Sequence, residues 1–344
     1  SIIDYQGDVI RTLYAKVTLP PIVDAAINNL GYTDSIGYAL FEHIDLFIGG
    51  QLVERLTGEL MDIYSELWVS DSRQRALSLM VGKTGSQFGL GNATAPRELI
   101  VPLSFYFHND PSMAIPLCAL TRQNIELNIK IAELSKLVVC TTSPHILPAN
   151  IQTDGNLKVS ISVEYAYLSP DEIATMRSRS LKYLITQTQL SRAIIKENET
   201  TVTTRVNFTN PTKEFIIICK DKLDPTNNVL SYNNDISSIS INFNEQLKLS
   251  ETVGTYMFLR YGQALAHHTR VPTKEIYVYS FGLLPESTSP TGQVNMSRIF
   301  NKLITFNTTG KGYMRDVRIY ARSFNILVIA NGVCGVLFNT TTNS

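Results

Sequence analysis

Apolar residues recur at every second position, or in short unbroken β-branched and aromatic runs, through most of this 344-residue chain. That period predicts strands at 9–19, 43–53, 99–107, 125–131 and 159–167, and a second series at 201–208, 214–220, 236–249, 276–281, 303–307 and 317–337. The segment 276–300, IYVYSFGLLPESTSPTGQVNMSRIF, reads as a strand, a Pro/Ser/Thr/Gly loop and a second strand opening at Met296-Ser297-Arg298. The block 98–131 has the same grammar: a strand ending Phe105-Tyr106-Phe107, a proline-bearing loop, and the alternating run Asn124-Ile125-Glu126-Leu127-Asn128-Ile129-Lys130-Ile131. Three further parallels come in the same order. IDLFIGGQL at 44–52 matches ISINFNEQL at 239–247, Phe107 matches Phe281, and the closing strand at Val159 matches the one at Val317. Ordered self-similarity of this kind argues for a duplication.

Two stretches carry a helical period instead. At 170–182, Ser169-Pro170-Asp171-Glu172 supplies a cap, a first-turn proline and acids, and Arg177, Arg179 and Lys182 close the basic end. This helix sits at the midpoint of the chain and reads as the element between domains. A second helix is predicted at about 58–79, with Leu60, Ile63, Tyr64 and Leu67 on one face and Glu59, Asp62 and Glu66 on the other. At this length one core is not expected to serve the whole chain. The division predicted is residues 1–168, a linker at 169–184, and residues 185–344. Domains of this size with long strand-end loops fit jelly rolls better than immunoglobulin-type sandwiches. The expected fold is therefore all-β: two tandem eight-stranded antiparallel jelly rolls, a double jelly roll, with short helices in loops and between domains. Because Ser1 leads without Met straight into a strand pattern, the expectation is that an N-terminal arm and the first strand are missing.

Composition narrows the function classes. Hydrophobic residues make up 44% and mean hydropathy is +0.02, as in a globular protein, yet only 17% are charged, well under the roughly 25% of ordinary domains. Much of the surface must be uncharged or covered by other chains. Lys plus Arg and Asp plus Glu are 30 each, so no electrostatic footprint for specific nucleic-acid binding is visible. Cys118, Cys140, Cys219 and Cys334 are scattered in apolar strand-like runs and read as buried thiols. That usage favours synthesis in a reducing compartment. The longest apolar stretch, 326–338, is interrupted by Asn331 and two glycines and is too short to cross a bilayer. The acidic flanks Asp4 and Asp8 do not form a signal peptide.

No motif carries a reaction or a cofactor. Gly82-Lys83-Thr84 lacks the glycine five residues earlier that a phosphate loop needs, Leu77 standing there. His267-His268 has no His-x-His partner, and adjacent strand residues face opposite ways. Glu59, Asp62 and Glu66 read as a solvated helix face or an ion pair between subunits rather than as metal ligands. The cations from Arg177 to Lys182 are accounted for by the helix dipole rather than by DNA or lipid. Gly49-Gly50 marks a β-bulge or a close backbone approach. Asn92, Asn198, Asn207, Asn295, Asn307 and Asn339 each open an Asn-x-Ser/Thr sequon and are the candidate glycan sites.

Read together, the residues resemble a known family, the major capsid proteins of the nucleocytoplasmic large DNA viruses. Ile44-Asp45-Leu46-Phe47-Ile48-Gly49-Gly50-Gln51 and the following Gly58 to Leu67 run resemble that family's glycine-glycine-glutamine strand and helix. Ile100 to Phe107 with Ala114 to Leu120 is similar to its paired strand and proline-leucine segment. Asn207 to Glu214 resembles the opening of its second jelly roll. His268-Thr269-Arg270, Ile276 to Phe281, Pro290-Thr291-Gly292 and Asn295-Met296-Ser297-Arg298 resemble its most recognisable run. The chain departs from the pattern in lacking the N-terminal arm, in several short loops, and in Pro290-Thr291-Gly292 where proline-serine-glycine is usual.

The resemblance implies a structural, non-enzymatic protein of the virion, synthesised and assembled in the host cytoplasm. It implies a homotrimer forming a pseudo-hexagonal capsomer that tiles an icosahedral shell around a double-stranded DNA genome. Expected partners are other copies, minor capsid proteins and an internal membrane beneath the shell, with glycans possible on the outside. Candidate residues for contacts between copies are Leu67, Trp68, His268 and Arg270, with the loops 70–96, 135–156 and 283–294, of which the first two are the outward insertions. Two alternative readings differ in what they predict. A poxvirus-type membrane scaffold with the same double jelly roll forms transient lattices. A carbohydrate-binding or cupin-like β-sandwich needs an aromatic or histidine-lined hollow that the sequence does not show.

Overall fold

The computed structural model describes residues 2–23, 29–83, 93–140, 151–222 and 228–338. The first half contains β1 (Val9–Leu19), β2 (Leu30–Tyr32), β3 (Phe41–Ile48), β4 (Gln51–Leu56), helices α1 (Gly58–Trp68) and α2 (Asp71–Val81), β5 (Arg97–Pro102), β6 (Ile115–Pro116), β7 (Ile125–Ile131), β8 (Val138–Cys140) and β9 (Lys158–Ala166). Helix α3 (Pro170–Ser178) leads into β10 (Leu181–Ile195), β11 (Thr201–Arg205), β12 (Pro211–Asp221), β13 (Ile236–Phe243) and β14 (Gln246–Leu249). A helical segment at 256–267 follows, interrupted by a π-helical turn at Phe258–Gly262 and ending as α4 (Gln263–His267). The chain closes with β15 (Ile276–Ser280), β16 (Val294–Asn295), β17 (Lys302–Thr308), β18 (Arg315–Ala330) and β19 (Val333–Val336).

The second half is a complete jelly roll. One sheet runs β10-β18-β12-β15, with β16 added to β12 and β19 to β18, and the facing sheet runs β11-β17-β13-β14. The first half repeats this plan with β9-β1-β5 facing β7-β3-β4, and β6 continuing the edge of β1. Hydrogen-bond register makes the repeat residue-specific. Val9 pairs with Pro116 and Tyr14 with Pro102 in the first roll, as Pro211 pairs with Asn295 and Ile216 with Val278 in the second. Three β-bulges recur at equivalent places. They fall between Ile10/Thr12 and Thr212/Glu214, between Phe41/His43 and Ile236/Ser238, and between Leu46/Phe47 and Ile241/Asn242. A bulge re-aims every residue beyond it, so three shared bulges mean that the two rolls present the same faces in the same order.

Gly49-Gly50 and Asn244-Glu245 are the two-residue turns of matching hairpins, all four with positive φ. That backbone is what a tight hairpin requires, so the glycine pair is a turn and the expected bulge lies just before it. Met296–Arg298 is a 3₁₀ turn instead of a strand start, and Leu117–Ala119 is its counterpart in the first roll.

Four expectations change in detail. The first roll holds counterparts of six of the eight strands, because nothing among the described residues takes the places of β10 and β11; β9 accordingly pairs only with β1. The helix predicted at 58–79 is two helices, broken where Val69 turns extended and Ser70-Asp71 starts a new first turn. The helix predicted at 170–182 ends at Ser178, because from Leu181 the backbone pairs with β18. The long strand β10 had no apolar alternation to reveal it, since its inward positions include Gln187 and Gln189, both buried.

Two cores result. Phe215, Ile217, Tyr277, Val317 and Ile319 fill the second roll. Alternate residues of the same strands, Ile216, Ile218, Ile276, Val278 and Tyr320, join the core of the first roll. The run Phe215-Ile216-Ile217-Ile218-Cys219 is therefore buried on both faces, which is what an unbroken apolar strand signals. The outer face of one roll's sheet is thus sealed by the other roll. Cys118, Cys140, Cys219 and Cys334 are all buried.

Candidate functional site at the junction of the two rolls

Helix α1 is the element that does the sealing. Thr57 caps it, its hydroxyl accepting from the Leu60 N–H at 3.1 Å, and every residue from Gly58 to Leu67 is buried. Gly58 is required at its start, because a Cβ there would stand 2.0 Å from the Tyr38 carbonyl oxygen. Glu59, Asp62 and Glu66 share one helix face, but that face points at the second roll and not at water. The expected solvated face is thus corrected. An amphipathic pattern identifies the polar face of a helix without saying whether water or another domain's cations lie against it.

Each carboxylate meets partners from far along the chain. Glu59 accepts from Arg318 Nη1 at 2.6 Å, from Lys220 Nζ at 2.9 Å and from the Tyr320 hydroxyl. Asp62 accepts from Lys274 Nζ at 2.7 Å and the Tyr232 hydroxyl at 2.9 Å. Glu66 accepts from the Thr273 N–H at 2.7 Å and its hydroxyl at 2.8 Å, and pairs with Lys83. Burial alone would raise the carboxyls of Glu59 and Glu66. For Glu59, Lys220 and Arg318 more than offset it, and for Glu66, Lys83 and Thr273 do so; both groups are held down at about 2. The Gly82-Lys83 pair is accounted for in the same way, Gly82 ending α2 with a left-handed backbone and Lys83 turning onto Glu66. Thr84 lies outside the described residues.

The four residues expected at contacts between copies come together here, inside one chain. Leu67 is fully enclosed and its carbonyl accepts from the Arg270 N–H at 3.0 Å. Arg270 Nε reaches Asp71 at 2.8 Å. Trp68 stacks on Tyr64 with ring centroids 3.8 Å apart, and the Arg322 guanidinium lies 4.0 Å from the Trp68 ring. Arg322 pairs with Glu214, and Glu214 with His268 Nε2 at 3.1 Å. His268 Nδ1 contacts Glu286 at 3.0 Å, which ties the loop 283–294 to the helix end. Burial would lower His268, but Glu214 and Glu286 outweigh it and raise the ring to about 9. Burial likewise works against the ionised Glu214, yet Arg322 and His268 hold it at about 2. His267 and His268 end a helix instead of lying on a strand, so the opposite-face argument does not apply to them.

Other candidates fall elsewhere. Arg177 stands in the last turn of α3, and its Nε also donates to the Cys118 carbonyl at 2.9 Å, while α3 itself buries no residue. Asn198, Asn207 and Asn295 are exposed. The Asn307 side chain is committed, donating to Ser238 Oγ at 3.0 Å and Glu251 Oε2 at 2.9 Å and accepting from Thr201 Oγ1 at 3.0 Å. Asn92 and Asn339, with parts of the loops 70–96 and 135–156, lie outside the described residues. Among the described residues no group of three or more His, Cys, Asp and Glu could hold a metal ion, and no helix is long and apolar enough to cross a membrane.

What this arrangement does is mechanical. Buried ion pairs add little net stability but are costly to break, so they fix register between the surfaces they join. The junction locks two similar rolls at one relative position. A family model described as the N-terminus of major capsid proteins matches residues 1–169, and one described as the large eukaryotic DNA virus major capsid protein matches residues 172–335. The major capsid protein of Pyramimonas orientalis virus is 27% identical over 362 residues, covering 98% of this chain and 85% of that one. Among solved structures, a chain of the PBCV-1 virus capsid is similar with a TM-score of 0.83 at 21% identity, covering 98% of this chain and 92% of that one. The Faustovirus major capsid protein gives 0.77 at 12% identity, covering 96% and 87%. The fold is the double jelly roll, and the chain belongs to the major capsid proteins of large eukaryotic DNA viruses, as a structural protein of the icosahedral virion shell.

Proposed function

We propose that three copies of this chain associate into a capsomer with a pseudo-hexagonal outline, and that these capsomers tile the outer shell. One observation carries the reading: the two rolls share strand register and all three bulges, so a single chain presents two nearly equivalent corners. Three such chains approximate six-fold symmetry, and one shape then suffices to tile a surface. The buried junction supports this, because a fixed angle between rolls is what makes the corners superposable.

On this reading the protein acts through its surfaces and has no catalytic activity of its own. Its partners are other copies, with minor capsid proteins and an internal membrane beneath the shell, and it makes no sequence-specific contact with nucleic acid. The exposed sequons at Asn198, Asn207 and Asn295 are the positions open to glycans. Assembly takes place in the host cytoplasm. Light scattering on the purified chain tests the reading: it predicts three times the 38.4 kDa chain mass at micromolar concentration. A single-chain mass would sink it.

A further inference from the structure

The two helices of the first-half insertion part company beside the first roll. Helix α1 is buried against the second roll, the chain turns extended at Val69, and α2 lies next to β5. The C-terminal end of α2 is packed tightly: a Cβ on Gly37 would stand 2.9 Å from both the Val81 carbonyl oxygen and Val101 Cγ2. Its N-terminal half is tied to the end of α1, Gln74 Nε2 donating to the Val69 carbonyl at 3.2 Å. Between these two fixed points a cavity of about 310 Å³ remains, at the small end of ordinary ligand pockets.

Its walls are apolar and rich in rings. Tyr14, Tyr38, Tyr64 and Trp68 meet Pro102 and one face of α2, on which Arg73, Ala76, Leu77 and Met80 follow the helical spacing. The charge is one-sided. Arg73 is exposed and is joined to no acid among the described residues, and no Asp or Glu is among the residues that line the cavity. Two buried nitrogens of lining residues, Trp68 Nε1 and His108 Nδ1, have no hydrogen-bond partner. Burial lowers His108 below its ordinary 6.5 against the pull of Glu164, so the ring is neutral at pH 7. The indole N–H can only donate. Buried polar atoms are ordinarily paired, so an apolar hollow with an orphaned donor and one cation calls for a ligand that brings an acceptor and a negative charge.

We propose that this cavity binds a small amphiphilic carboxylate, an acyl chain of medium length, with its acid head at Arg73 and Trp68 and its chain against Leu77, Met80 and Pro102. Each part of the wall is then answered. The head supplies Arg73 with the anion it lacks and the indole N–H with an acceptor, in a charge-assisted bond, and the chain covers the apolar side. A neutral hexose fits less well: it stacks on the rings but leaves Arg73 without an anion and sets hydroxyls against Leu77, Met80 and Pro102. Filling the hollow ties α2 to the first roll and holds Trp68, whose ring also carries Arg322 of the second roll at 4.0 Å. The ligand therefore braces the junction from its outer side.

Trp68 is the chain's one tryptophan, so its fluorescence reads this cavity alone, whatever the state of assembly. Wild-type protein is titrated with decanoate below its micelle concentration, with decanol and with glucose. The site predicts a saturable change in emission and a rising melting midpoint with decanoate, at least tenfold weaker binding of decanol, and no response to glucose. Two exposed positions of α2 supply variants whose fold and mass are checked by circular dichroism and light scattering. Ala76→Phe puts a ring into the hollow and should abolish the response. Arg73→Gln should weaken decanoate at least tenfold and leave decanol unchanged. An unsaturable change or none, a falling midpoint, or a response that survives Ala76→Phe overturns the site. Decanol binding as tightly as decanoate, glucose binding in its place, or an Arg73→Gln affinity equal to wild type overturns the ligand assignment. If either variant fails to fold, the comparison of decanoate, decanol and glucose on the wild type still decides.

Discussion

Glu59 and Arg318, 259 residues apart in sequence, meet at 2.6 Å across the junction of the two rolls. The same carboxylate accepts from Lys220 and Tyr320, so a single residue of the first roll ties down two neighbouring strands of the second. Replacing it by glutamine keeps the shape and takes one anion from two half-buried cations, Lys220 and Arg318, of which Arg318 keeps Asp316 at 3.0 Å. Glu59→Gln should lower stability by about 3 kcal/mol, the cost of removing one partner of a buried pair. Urea unfolding measures this, and a change under about 0.5 kcal/mol, the range of ordinary surface substitutions, would contradict the clamp.

Trp68 is the one tryptophan of the chain, and its ring is held within the subunit by Tyr64 and Arg322, 3.8 and 4.0 Å away. Trp68→Ala should therefore act within the subunit. Trp68 is partly buried, so the cost should fall at the lower end for truncating a large aromatic, about 3 kcal/mol, while the particle mass stays that of the wild type. A subunit that melts normally but dissociates would place Trp68 at the contact between copies instead.

Titration should show the clamp directly. Glu59 sits at about 2 against an ordinary 4.5, so its contribution is complete above pH 4.5 and is lost as pH falls through about 2. The stability gap between wild type and Glu59→Gln should be full at pH 6 and closed near pH 2. His268 runs the other way. Raised from 6.5 to about 9, it contributes fully below pH 6.5, and that contribution disappears as pH rises through about 9. The gap between wild type and His268→Gln should be open at pH 6 and closed by about pH 10. Unfolding curves at several pH values read both gaps, and gaps that ignore pH would remove the ionic explanation.

The strand plan was open to view because most strands alternate cleanly or, like Phe215 to Cys219, run unbroken. The duplication could be seen because hairpins such as IDLFIGGQL and ISINFNEQL keep their turn and bulge chemistry. β10 stayed hidden because Gln187 and Gln189 are buried with partners: Gln189 donates to the Thr209 carbonyl, and Gln187 accepts from Asn325. A polar letter at an inward position erases the period without removing the strand. The clamp stayed hidden for a related reason. Glu59, Asp62 and Glu66 have the spacing of any wet helix face, and their cations lie beyond residue 217 except for Lys83. Pattern reports which face is polar; only the fold reports what stands opposite. Leu67, Trp68, His268 and Arg270 were expected at contacts between copies, and the sequence carried no sign that they come together inside one subunit.

The central claim is that one chain supplies two locked, similar rolls and that three chains make a six-cornered unit. Averaged electron-microscope images of the purified protein, viewed down the particle axis, test it most directly. The account predicts a three-fold particle with six similar lobes alternating in two kinds, at a mass of three times 38.4 kDa. Averages showing an isolated two-lobed particle, or a symmetry other than three-fold, would contradict it.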